Sequence, residues 1–146
     1  MPAWVDAGYR EYAGRFPAHC RLELTEVPAV RRGKNADLAR IAAEEGARLC
    51  AKLPARARVI ALERSGRTRT TEQLATHLQA WLAQESEVAF LIGGPEGLAP
   101  ACVARAHEVW SLSALTLPHP LVRVVLAEQL YRAYSIAHNL PYHRGD

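Results

Sequence analysis

Val88-Ala89-Phe90-Leu91-Ile92-Gly93-Gly94-Pro95-Glu96-Gly97-Leu98 joins an apolar run to a glycine-rich loop. Its first five residues are apolar without alternation, the pattern of a strand buried on both faces in a parallel sheet. The strand runs straight into glycines, and Pro100 then suits the first turn of a short helix. Working upstream, Arg58 to Glu63 is a second short apolar strand, which Ser65-Gly66 should break. Thr70 and Gln73 have the spacing of a capping box for a helix that buries Leu74, Leu78, Trp81 and Leu82. Downstream, Val109 to Leu112 reads as a last strand, residues 113–120 as a loop, and about 121–138 as a helix apolar on almost every side. A helix of that kind must be covered on more than one face, and a partner subunit is one way to cover it.

The N-terminal third extends the alternation. Residues 4–15 predict a helix carrying Trp4, Val5, Tyr9 and Tyr12, ended by Pro17. Residues 20–27 alternate enough to predict a strand. Asn35 is placed to cap a long helix to about Lys52, with Leu38, Ile41, Ala42, Leu49 and Leu53 as its apolar stripe. The resulting order, β-α-β-α-β-α-β-α, predicts an α/β fold with a mostly parallel sheet. With no repeat, low-complexity stretch or linker, residues 1–146 read as one domain.

Composition narrows the function classes. The chain has 146 residues, 49% of them hydrophobic, enough for a real core. It contains no apolar run long enough to span a membrane. Its opening, Met1-Pro2-Ala3-Trp4-Val5-Asp6, lacks the basic start and apolar stretch of a secretory signal, so a cytoplasmic protein is expected. Cys20, Cys50 and Cys102 are scattered and odd in number, which argues for reduced thiols rather than a disulfide framework or a zinc site. The net charge of +3 permits a nucleic-acid partner without demanding one. Arg31-Arg32-Gly33-Lys34 is the densest basic cluster, and it reads either as a phosphate contact or as solvated surface.

Two loops could hold a ligand. Gly93 to Gly97 follows the carboxyl end of a strand, where open α/β sheets bind ligands. It reads either as a ligand loop or as a tight turn alone. Its spacing is neither that of a dinucleotide fingerprint nor that of a P-loop. Ser111 to Pro120, apolar with hydroxyls, can wrap an adenine ring or simply cover the core. No GxSxG elbow and no HExxH pair occur. Of the six histidines, only His119 and His143 lie beside these elements.

Several longer stretches resemble a known family. Leu91 to Leu98 (LIGGPEGL), Trp110 to Ile136 (WSLSALTLPHPLVRVVLAEQLYRAYSI) and Pro141 to Arg144 (PYHR) closely resemble the RlmH family of SPOUT-class enzymes, which methylate N3 of a pseudouridine in 23S ribosomal RNA. Arg31 to Asp37 (RRGKNAD) and Pro2 to Pro17 are similar to that family as well. The resemblance implies a SPOUT fold with a C-terminal trefoil knot, a homodimer, S-adenosylmethionine in the knot and an active site near the subunit interface. It implies an enzyme that needs no metal and acts on the assembled ribosome.

Carried over by position, the resemblance places Leu62, Gly93, Gly94, Leu112, Ser113, Ala114, Leu115, Thr116, Leu117 and Pro118 in the cofactor pocket. It assigns His119, Arg123, Glu128, Arg132 and His143 to catalysis, and Arg31, Arg32, Lys34, Tyr142 and Arg144 to RNA binding. Arg132 or Arg123 would stabilise negative charge on the uracil-like ring, and His143 or Glu128 would accept its proton. Family members usually open with a short apolar strand ending in glycine, which this sequence lacks, so a first strand is expected to be missing. Three rival readings stay open: a SPOUT enzyme with another RNA target such as tRNA, a module that binds RNA or nucleotide without catalysis, and an inactive truncated homologue.

Overall fold

Arg58 to Thr68 forms the middle strand, β1, because its start is apolar enough to be buried on both faces. Val59, Ile60 and Ala61 are each fully covered, and burying side chains the size of Val59 and Ile60 stabilises the fold by about 1.5–3 kcal/mol each. The structure, a computed structural model, describes residues 1–144. Among these, β1 is flanked by β2 (Val88–Ile92) and β3 (Glu108–Ser111) in the order β2-β1-β3. Both pairings are parallel, as expected. Five α-helices complete the described chain: α1 (Ala3–Ala13), α2 (Leu38–Ala51), α3 (Thr71–Ala83), α4 (Pro100–Arg105) and α5 (His119–Ala137).

The chain divides into two compact units. One contains the sheet with α2 and α4, over residues 24–68 and 87–119. Its core is Val59, Leu91, Ala99 and Cys102, with Leu49, Cys50, Leu53, Leu98 and Ala106 packed around them. Gly46 lets α2 approach α4 closely, since a Cβ there would lie 2.6 Å from that of Ala99. The same approach brings the sulfurs of Cys50 and Cys102 to 3.3 Å, which their wide sequence separation had hidden. Burial pushes the Cys102 thiol up to about 11.

The other unit contains α1, α3 and α5. Gly8 of α1 meets Val124 of α5, and the Thr71 hydroxyl donates to Gln129 at 2.7 Å. Phe16 packs edge-on against Tyr131. No residue of α5 is fully exposed along its length, in agreement with its apolar circumference.

Four expectations change. Residues 20–27 are not a strand: a 3-10 turn over Ala18–Cys20 leads into irregular chain, and Leu24 is exposed. Alternation gives an amphipathic segment, but a strand also needs another strand to pair with, and among the described residues this segment has none. Asp37, not Asn35, caps α2, accepting the Arg40 amide at 3.2 Å. Asn35 instead sits at φ 69, where its short polar side chain tolerates the left-handed turn. As a result Leu38 falls in the first turn and stays exposed rather than joining the apolar stripe. Finally, Ser65-Gly66 does not end β1. The strand bulges between Leu62 and Arg67, both of which pair with Trp110, and continues to Thr68.

The capping box at the start of α3 is complete: Thr70 Oγ1 accepts the Gln73 amide at 3.0 Å, and Gln73 Oε1 accepts the Thr70 amide at 2.9 Å. Thr70→Ala should therefore destabilise the protein by about 1 kcal/mol. Urea denaturation will read this as a lower midpoint with an unchanged slope.

Candidate functional site

Parallel pairing brings the carboxyl ends of all three strands to one edge. Leu62 pairs with Ile92 on one side and Trp110 on the other. The glycine loop, the residues after Leu62 and the loop after Ser111 therefore start from the same edge. This edge carries the residues assigned to the cofactor.

The glycine loop is a tight turn. Gly97 donates its N–H to the Gly94 carbonyl at 2.9 Å and sits at φ +77, a region open to glycine. A Cβ on Gly93 would lie 2.6 Å from the Gly97 carbonyl carbon, so only glycine fits. Gly94 is exposed, and the nearest atom to a Cβ there would be a Glu45 carboxylate oxygen at 3.8 Å. Arg32 donates to Glu45 at 2.8 Å and to Glu96 at 3.3 Å. Glu63 Oε1 accepts the Leu98 amide at 3.3 Å. Three carboxylates thus border the loop, with Arg32 bridging two of them. That surrounding disfavours a phosphate and suits a cationic ligand.

The third loop is braced by its own hydroxyls. Ser111 donates to the Ser113 carbonyl at 2.8 Å, and Ser113 Oγ accepts the Leu115 amide at 2.9 Å. Arg64 reaches Thr116 Oγ1 at 3.3 Å. Leu115, held this way, leaves 73% of its surface uncovered. Leu112, Ser113 and Leu117 are half-buried, and Ala114, Thr116 and Pro118 are exposed. An apolar side chain presented on a hydrogen-bonded loop offers a face for a flat aromatic ring.

A second cluster lies in the helical unit. Glu128 Oε2 accepts Arg132 Nη2 at 2.8 Å and Nε at 3.1 Å, together with the Tyr142 hydroxyl at 2.7 Å. Its other oxygen accepts Gln129 Nε2 at 2.7 Å. Burial works against this carboxylate, but the hydrogen bonds from Arg132 and Tyr142 outweigh it and hold Glu128 below its ordinary value. Burial and the bond to Glu128 push Tyr142 well above the usual phenol range. Arg132 lies over the Tyr142 ring at 4.7 Å. It also meets His143 Nδ1 at 3.1 Å, and since guanidinium only donates, that nitrogen is the acceptor. Glu72 stands 3.5 Å from the other ring nitrogen, which places the histidine proton on Nε2.

The structure thus brings Glu128, Arg132, Tyr142 and His143 together. Arg123 lies elsewhere, near Tyr9, and His119 opens α5. Arg144 folds onto the tail, donating to the Pro141 carbonyl at 3.0 Å. Arg31 and Lys34 are exposed, whereas Arg32 is engaged as described. Sequence reasoning missed Glu63, Glu72 and Arg15, and read Arg64 only as part of a basic cluster with Arg67 and Arg69. The Arg15 guanidinium lies 5.0–5.5 Å from the rings of Tyr12, Tyr131 and Tyr142. Of the three missed, Glu72 had a local signal, its place in the first turn after the capping box.

A family model described as predicted SPOUT methyltransferase matches residues 1–143. The chain is 58% identical over 144 residues to the ribosomal RNA large subunit methyltransferase H of Thioalkalivibrio sulfidiphilus (strain HL-EbGR7). The match covers 99% of this chain and 92% of that relative.

The lowered Glu128 carboxyl ties stability to pH. Its contribution is fully present above the ordinary value of 4.5 and is lost as pH falls through the lower folded value. Glu128→Gln should be less stable than the parent at neutral pH, and its stability should fall less steeply on acidification. Urea midpoints compared at neutral pH and at about pH 3 will measure the difference.

Proposed function

The chain belongs to the SPOUT methyltransferase family, and from that membership we propose that it methylates N3 of a pseudouridine in 23S ribosomal RNA, using S-adenosylmethionine. The printed name of the similar methyltransferase supports ribosomal RNA of the large subunit as the substrate class. The observation that carries the reading is the shared edge of the three parallel strands, with its glycine loop bordered by carboxylates. A purely nucleotide-binding loop would present amides and cations to phosphate. This one presents Glu45, Glu63 and Glu96, which favour a cationic sulfonium.

Leu62, Gly93, Gly94 and residues 112–118 would hold the donor, with Leu115 against its ring. When bound, S-adenosylmethionine supplies an electrophilic methyl group. The chain's own task is to bind the acceptor ring and to favour loss of its N3 proton. Arg132, fixed by Glu128 and stacked on Tyr142, would stabilise the negative charge that develops on the ring. His143, with Nδ1 occupied by Arg132, would act through its Nε2 side and orient the substrate. Tyr142 and Arg144, with Arg31, Arg32 and Lys34, would contact RNA.

The substrate would be the assembled ribosome in the cytoplasm, since a domain with this modest charge makes few phosphate contacts alone. A homodimer is part of the proposal. Leu121, Val122 and Val125 of α5 keep partly uncovered apolar surface that a second copy would bury. The family's C-terminal knot belongs to the same proposal.

Radiolabelled S-adenosylmethionine and ribosomes lacking the modification test the reading. Label should appear at one pseudouridine of 23S rRNA. Label on tRNA, or donor binding without transfer, would refute it. Arg132→Ala should lower kcat on the order of 100-fold with donor affinity unchanged, because the arginine acts on charge that forms during the reaction.

A further inference from the structure

The bulge of β1 has a feature that the proposed chemistry leaves unused. Leu62 and Arg67 both pair with Trp110, so the chain between them leaves the ladder and returns to the same place. Gly66 makes the return possible. A Cβ there would lie 2.7 Å from the Trp110 carbonyl carbon and 2.8 Å from its nitrogen, so the backbone lies directly against β3. The excursion carries two adjacent charged side chains. Glu63 is half-buried and accepts the Leu98 amide at 3.3 Å, at the exit of the glycine loop. Arg64 donates to Thr116 Oγ1 at 3.3 Å in the loop on the other side.

We propose that the excursion Glu63 to Gly66 is a clasp that fixes the spacing of the two loops, with Glu63 and Arg64 as positioning residues for the methyl donor. The inference rests on reading these loops as the donor site. Each loop has its own internal bonds: the glycine loop closes on Gly94 and Gly97, and the other on Ser111 and Ser113. Those bonds set the shape of each loop but not the gap between them. Glu63 and Arg64 are consecutive on one strand, so their two reaches tie that gap to the fixed geometry of β1. The clasp uses Glu63 as an acceptor aimed at the Leu98 amide, a role separate from its charge.

Amide exchange by NMR tests the clasp on the full chain with no donor present. Glu63→Ala should speed exchange at Leu98 about tenfold, and Glu63→Gln should keep most of the protection, since an amide oxygen still accepts. Calorimetry with S-adenosylmethionine should show binding about tenfold weaker in Glu63→Ala and about threefold weaker in Arg64→Ala, with Glu63→Gln, which keeps the acceptor but not the charge, between Glu63→Ala and the parent. Unchanged Leu98 exchange in Glu63→Ala would overturn the clasp. Faster exchange with donor affinity unaltered in every variant would overturn the positioning role. A parent chain that binds no donor would sink the donor-site reading itself, a failure that the exchange data keep separate. If Glu63→Ala does not fold, the exposed Arg64→Ala decides by its threefold loss or its absence.

Discussion

Parallel hydrogen bonding on both sides of β1 is the constraint from which the sheet unit follows. Parallel strands require a crossover between them, so each strand must be followed by a segment that leaves one edge and returns at the other. Ile92 and Trp110 are fixed beside Leu62 by register. The glycine loop and the serine-braced loop then emerge on either side of β1, wherever their own sequences would otherwise send them. Buried strand residues such as Val59, Ile60 and Leu91 hold that register, since a slip by one would turn every side chain to the opposite face. The site is therefore a consequence of burial, and its loops need only choose their local shape.

The helical unit works by saturating one carboxylate. Glu128 accepts from Arg132, Tyr142 and Gln129 at once, so its charge is spent on holding other groups. Tyr142 is fixed from several directions, packed on Tyr131 at 4.9 Å and approached by Arg15 and Arg132. The tail from Pro141 to Arg144 is thus docked by charge-assisted bonds and ring contacts rather than by regular secondary structure. Such a network confers a defined geometry as long as every member is paired.

Much of this was legible in the sequence, and the exceptions have one cause. β2, α4 and the capped start of α3 were predicted correctly because each is specified by adjacent residues: an unbroken apolar run, a proline at the first turn, and Thr70 with Gln73. The misreadings needed knowledge of a partner distant in sequence. Residues 20–27 alternate properly but, among the described residues, have no strand beside them. Gly66 has the look of a strand breaker in sequence but is a close approach to Trp110, which lies far along the chain. Asn35 and Asp37 are both good caps, and the left-handed backbone at Asn35 decides between them. At the site, the resemblance named Glu128, Arg132, Tyr142 and His143, yet nothing in their spacing indicated how they bond. Glu63 and Arg64 carried no motif of their own.

The bonding pattern bears on which group would take the proton in the proposed reaction. Sequence reading left Glu128 and His143 as alternatives. A carboxylate held below its ordinary value by four donor contacts is a weaker base than a free one, because protonation would cost it those bonds. His143 offers its lone pair at Nδ1 to Arg132, and its Nε2 side carries the proton toward Glu72. In this arrangement neither the His143 ring nor Glu128 Oε2 presents a free lone pair. A fixed cation beside the ring lowers the cost of forming the anion itself, and it does so whichever acceptor finally takes the proton. In the proposed chemistry the weight therefore falls on Arg132 rather than on a dedicated base, with Glu128 aiming the guanidinium and Tyr142 holding it flat.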